Sequence, residues 1–113
     1  MKTIKLVIFL LLFSPTACEK IEKDAPDCIK DLIRKPIGIL TLCETGASVD
    51  QYLFQGQDVF VFSPGNCGAD MAAAVYNDKC EVIGDLGGFT GNLIINGERF
   101  DQGAIYIKNI WTD

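Results

Sequence analysis

The sequence predicts a small α+β domain, with one N-terminal helix packed on an antiparallel sheet of consecutive hairpins and disulfides linking the elements. Three observations favour this class. Apolar residues recur at helical spacing after Pro26, strand-like runs rich in β-branched and aromatic residues begin at Val49, and four cysteines lie between positions 28 and 80. The domain is expected to span residues 26–113, a length that supports one core and not two.

Residues 1–17 are predicted to be a signal peptide. Lys2 and Lys5 precede an apolar block at 6–13, which is too short to span a bilayer that needs roughly 20 apolar residues. The small residue Ala17 directly before Cys18 resembles the lipobox of bacterial lipoprotein precursors, although Pro15 stands where that family usually has Leu. The resemblance implies that Cys18 is acylated, becomes the mature N-terminus and anchors the protein in the cell envelope through its acyl chains. The alternative is a secreted protein with a free Cys18.

The number of cysteines agrees with a modified Cys18. The chain has five, and an odd cysteine is unfavourable in an oxidising compartment. If Cys18 carries lipid, the other four can all form disulfides: Cys28, Cys43, Cys67 and Cys80. Four cysteines permit three disulfide connectivities. The two local bridges, Cys28–Cys43 and Cys67–Cys80, are favoured because each closes a short loop.

Composition excludes several classes of function. The formal net charge is −5, and removing the leader with its two lysines makes it −7, so the chain offers no basic surface for nucleic acid. There is no histidine, which excludes serine-histidine and cysteine-histidine catalysis, and no C-x-x-C pair that would indicate a zinc ribbon. We therefore predict no catalytic residue, metal or cofactor.

Residues 18–25 are predicted to be a tether, since from Glu19 onward the segment is charged and nearly lacks bulky apolar groups. A helix follows. Asp24 and Pro26 are typical of a helix start, and Pro36 ends the helical pattern. Its apolar face is formed by Cys28, Ile29, Leu32 and Ile33.

Three hairpins are predicted after the helix. The runs 49–54 and 59–62 form the first, and the second run is apolar on both faces, which indicates a central strand covered on both sides. The second hairpin joins 72–76 to 81–83 through the turn at Asn77. Asn96-Gly97 is the strongest two-residue hairpin signal in the chain, and 104–107 is a last strand. The apolar residues 37–43 fit either a short strand or an extended connector.

The glycine-rich segment 85–92 is the most site-like stretch, because glycines permit close approach of the backbone to a ligand. It does not match a P-loop or a dinucleotide fingerprint. A structural loop between hairpins is the simpler interpretation, and a ligand loop is the alternative. The candidate ligand residues are Asp85, Gly87, Gly88, Thr90 and Asn92.

The chain also resembles a family of small bacterial lipoproteins of no known activity. The family pattern is a Tyr-x-aromatic-x-Gly hairpin, a Cys/Asp turn, a Val-Tyr-Asp strand and a Gly-Gly loop. The corresponding stretches here lie at 43–62, 66–70, 75–80 and 86–88, and the third of them has Asn77 where the pattern has Asp. The resemblance implies a lipid-anchored envelope protein but no specific activity. Our leading hypothesis is a non-catalytic binding or structural domain with an envelope protein as partner. Two other hypotheses are an inhibitor of a hydrolase or protease, and an enzyme whose site is assembled from scattered carboxylates.

Overall fold

A five-stranded antiparallel sheet dominates the computed structural model, which describes residues 21–34, 46–65 and 72–113. The signal peptide, Cys18, Cys43, Cys67 and the segment 37–43 lie outside the described residues. The elements in chain order are α1 (Asp27–Arg34), β1 (Ser48–Phe54), β2 (Gln57–Ser63), β3 (Ala72–Asn77), β4 (Val82–Gly87), β5 (Ile94–Ile95), β6 (Glu98–Arg99), α2 (Phe100–Gly103) and β7 (Ile105–Thr112).

The first predicted hairpin is confirmed and forms the middle of the sheet. β1 and β2 pair antiparallel, and the strand order β4-β3-β2-β1-β7 places β2 at the centre. Their two-residue turn has positive φ at both Gln55 (52°) and Gly56 (77°), the conformation that matches the twist of the flanking strands. All four residues from Val59 to Phe62 are buried, so the central strand is covered on both faces as predicted.

The other hairpins are confirmed as well. β3 pairs with β4, and β5 pairs with β6 across Asn96-Gly97. The last strand is longer than the predicted 104–107: β7 continues to Thr112 and pairs with β1. Because β7 pairs with β1 and β4 pairs with β3, β7 forms one edge of the sheet and β4 the other among the described residues.

The side chains of the sheet form two apolar clusters, one on each face. On one face, Ile29 and Ile33 of α1 join residues of four strands: Val49, Phe60, Phe62, Tyr76 and Ile110. On the other face, β5 and α2 supply Ile95 and Phe100, which cover residues of β1, β2 and β3: Phe54, Val59, Val61 and Val75. The alternation of side chains along each strand separates these two sets.

The predicted α+β class is wrong, because the fold is mostly antiparallel β: about 51% of the described residues are strand and 16% helix. The predicted helix exists, but its eight residues extend only about 12 Å. Five strands about 4.8 Å apart span roughly 19 Å, so α1 cannot form a layer over the sheet. The second face of the sheet is covered by the β5–β6 hairpin and by the single helical turn α2. Both belong to the strand-rich C-terminal part of the chain.

Candidate functional site

Residues 21–25, here called the N-terminal arm, contact the sheet at β7. The N–H of Glu22 donates to the carbonyl of Ile110 at 2.9 Å, and Lys108 Nζ lies 3.7 Å from Glu22 Oε1 and 3.5 Å from Asp24 Oδ2. Ile21 packs against the cluster on the helix face, and Ala25 is a buried member of it. This part of the predicted tether therefore differs from the expectation: two small apolar contacts and a backbone hydrogen bond attach it to the domain.

The outer edge of β7 carries three consecutive exposed apolar residues, here called the β7 edge patch. Ile105 is 60% exposed, Tyr106 55% and Ile107 46%. Ile105 lies opposite Leu53, and Tyr106 lies opposite Tyr52. Because neighbouring residues of a strand point to opposite faces, the patch presents apolar side chains on both sides of the edge.

Ile107 lies in a register irregularity of β7, since Tyr106 pairs with Tyr52 and Lys108 with Gln51. A second irregularity follows between Asn109 and Trp111. Bulges increase the local twist of an edge strand, which makes it a poorer template for pairing with another strand. The patch is therefore an apolar surface with a distorted backbone edge.

Aromatic rings support the patch from beneath. The Tyr52 and Tyr106 ring centroids are 5.5 Å apart, and Tyr52 and Phe100 are 5.1 Å apart, both edge to face. Burial raises the pKa of Tyr52, and the Asp50 carboxylate and Tyr106 raise it further, because a phenolate would be poorly solvated and repelled there. The Tyr52 hydroxyl therefore stays neutral and can donate a hydrogen bond at physiological pH.

The glycine-rich segment 85–92 folds back on itself. Gly87 and Asn92 exchange backbone hydrogen bonds of 2.7 and 3.1 Å. The Asn92 side chain donates to the carbonyls of Asp85 (2.8 Å) and Ile94 (3.0 Å), and its oxygen accepts from the Ile94 N–H at 3.3 Å. The amide of Asn92 is thus occupied by the backbone of its own loop.

The other candidates in this loop give no convergent set of ligand groups. Gly87 and Gly88 have φ of 77° and 74°, and they reverse the chain direction after β4. The side chains of Asp85 and Thr90 are exposed, and Phe89, at 88% exposure, is the most prominent residue of the loop. The geometry is that of a rigid turn which displays one aromatic ring.

The favoured disulfide pairing, Cys28 with Cys43 and Cys67 with Cys80, is wrong, because Cys28 bonds to Cys80. Their Cα atoms are 6.1 Å apart although 52 positions separate them in sequence. The reason is tertiary: the buried face of α1 packs beside Tyr76 of β3, which brings Cys28 to the turn that follows this strand. Cys43 and Cys67 lie outside the described residues.

The turn that carries Cys80 is well ordered by hydrogen bonds. Asn77 Oδ1 accepts from the N–H groups of Lys79 (3.0 Å) and Glu81 (2.9 Å), and its Nδ2 donates to Glu81 Oε1 at 2.8 Å. Cys80 itself has φ of 63°, a left-handed conformation that costs a non-glycine residue about 1 to 2 kcal/mol. The bridge to α1 therefore ends on a fixed backbone.

Charged groups form no metal-ligand cluster within the described ranges: no three Cys, Asp or Glu side chains lie together there. Asp101 pairs with Arg99 through two hydrogen bonds of 3.1 and 2.7 Å, which lower the pKa of its carboxyl. This pair is solvent-exposed.

Two features of the surface escaped the analysis of the sequence. The arm could have been recognised from Ile21 and Ala25, which continue the four-residue spacing of Ile29 and Ile33. The apolar run Ile105-Tyr106-Ile107 of the β7 edge patch is visible in the sequence. Which of these side chains are covered depends on where β7 pairs in the sheet, and local sequence does not determine that pairing.

In the part of the chain that the structure describes, neither helix is long and apolar enough to cross a membrane. No curated protein and no solved structure matches the chain. A family model does match, over residues 41–113, a range that contains the seven strands seen in the described residues; the arm and α1 precede the matched residues. The chain accordingly belongs to the family described as Domain of unknown function (DUF6970).

Proposed function

We propose that the chain is the precursor of a lipid-anchored cell-envelope protein whose domain is a non-catalytic binding or structural module. The observation that carries the proposal is the Cys28–Cys80 disulfide. Structural disulfides persist in oxidising compartments, which agrees with export directed by a leader at residues 1–17. The leader and the disulfide are independent, because one is read by the export machinery and the other depends on the folded domain.

The cysteine count supports acylation of Cys18. With Cys28 and Cys80 bonded, Cys43 and Cys67 are the two remaining cysteines of the domain, and an acylated Cys18 leaves no odd thiol. Each methylene of the acyl chains that is buried in the bilayer contributes about 0.8 kcal/mol to the free energy of membrane binding. Two chains therefore suffice for stable attachment without a basic surface.

Cys18→Ala is expected to move the protein from the membrane fraction to the soluble fraction, because acyl transfer requires the thiol. The measurement is fractionation of cells that express the full chain, together with intact-mass analysis. Thr16→Ala is the control, since it retains both a small residue and Cys18, and it should stay membrane-bound with the acyl mass. A wild-type protein of unmodified mass would contradict the proposal.

Inhibition of a protease is a second candidate function, favoured by Phe89. This ring is 88% exposed on the hydrogen-bonded turn described above, and a preorganised loop loses little entropy when it enters a pocket. A serine protease that accepts aromatic side chains should lose activity when titrated with the wild-type domain but not with Phe89→Ala. Equal activity in the presence of both proteins would exclude this function for the loop.

A further inference from the structure

The N-terminal arm leaves very little free chain between the proposed anchor and the folded domain. Cys18 precedes Ile21 by three residues, and three fully extended residues reach only about 10 Å. Ile21 already packs on the core, and Glu22 is hydrogen-bonded to β7. The acyl chains on Cys18 therefore hold the β7 side of the sheet close to the bilayer.

We infer that the β7 edge patch rests on the lipid surface in which Cys18 is anchored. This inference rests on the proposed function. Ile107 is three positions from Ile110, where the arm is attached, and a strand advances about 3.3 Å per residue, so the patch begins about 10 Å from the attachment point. The patch lies on the same edge of the sheet as the arm, whereas β4 forms the opposite edge.

The composition of the patch fits the boundary between headgroups and acyl chains. Isoleucine side chains gain free energy on leaving water, and tyrosine combines an apolar ring with a hydroxyl that stays solvated. The open backbone edge limits the depth, because unpaired N–H and C=O groups are not tolerated in hydrocarbon. The edge therefore sits at the level of the headgroups, with Ile105 and Tyr106 directed to opposite faces of it.

Charge does not drive this contact. Lys108, the cation nearest the patch along β7, has its ammonium group next to Glu22 and Asp24. The mature chain is acidic, so anionic lipids offer no net attraction. The contact is therefore expected on zwitterionic phosphatidylcholine vesicles and should not strengthen when anionic lipid is added.

Hydrogen exchange of the backbone amides tests the inference directly. In the acylated wild-type protein on phosphatidylcholine vesicles, peptides covering 105–107 should exchange about tenfold more slowly than in soluble Cys18→Ala, the effect expected from burying the exposed parts of two isoleucines. Peptides covering β4 should exchange at equal rates in both proteins.

Two variants make the comparison specific. Ile105→Glu should abolish the slowing while the acyl mass remains, because a carboxylate disfavours contact with lipid. Val82→Glu is the matched control: Val82 is 53% exposed on the opposite edge, so this variant should keep the slowing at 105–107. Thermal melts of both variants should match the wild type, since both positions are exposed.

The other outcomes overturn the inference in distinguishable ways. Equal exchange at 105–107 in the acylated and soluble proteins would show that β7 does not touch the bilayer, although the anchor is present. Slowing in Cys18→Ala that grows with protein concentration and needs no vesicles would show that a second copy covers the edge. A wild-type protein without acyl mass would remove the proposed function and this inference together.

Discussion

Replacing Cys28 and Cys80 together by serine is expected to lower the free energy of unfolding by about 4 kcal/mol. In the chain-entropy model the cost of losing a bridge grows with the loop it closes, and this bridge joins positions 52 residues apart. The two local loops predicted from the sequence would each contribute about 3 kcal/mol. For a small domain with a total stability of about 5 to 15 kcal/mol, losing this one bridge removes a large fraction.

Urea unfolding of the double variant and the wild type measures this effect. Cys43 and Cys67 are unchanged in the variant, so the difference in unfolding free energy comes from the Cys28–Cys80 bridge. A second variant, with Cys28→Ser and Cys80→Gly, separates the bridge from the backbone strain. Glycine adopts φ of 63° freely, so this variant should be more stable than the double serine variant by about 1 kcal/mol. Unchanged unfolding midpoints, or peptide mapping that joins Cys28 to Cys43, would contradict the pairing.

Phe60→Ala is expected to destabilise the domain by about 3 to 5 kcal/mol, the usual cost of removing a buried phenylalanine ring. Phe60 is 1% exposed in the central strand, where its neighbours in register are Gln51 on β1 and Tyr76 on β3. The cavity would lie between the sheet and Ile29 of α1. Strands on both sides limit its collapse, so the cost should fall in this range.

Phe89→Ala is the matched control for this prediction. It removes the same ring from a site that is 88% exposed, and its unfolding free energy should stay within about 0.5 kcal/mol of the wild type. Urea unfolding of both variants gives the comparison. Equal losses in the two variants, or a Phe60→Ala protein as stable as the wild type, would mean that β2 is not the centre of the core.

Local sequence determined the hairpins of this protein. The alternation of apolar and polar residues, the turn at Gln55-Gly56 and the Asn96-Gly97 pair act over a few residues, so they specify strand pairs without help from the rest of the chain. The same is true of the buried central strand, because four consecutive apolar residues need cover on both faces. The spacing of the apolar residues likewise predicted the apolar face of α1.

Only the tertiary structure decided how these pieces are combined. The class of the fold depended on how much of the sheet one short helix covers. The partner of Cys28 depended on which strand lies under α1. The position of the arm depended on the pairing of β7 with β1. Each of these contacts joins residues that are distant in sequence. Their formation depends on burial and chain closure across the whole domain, and no local pattern encodes that free energy.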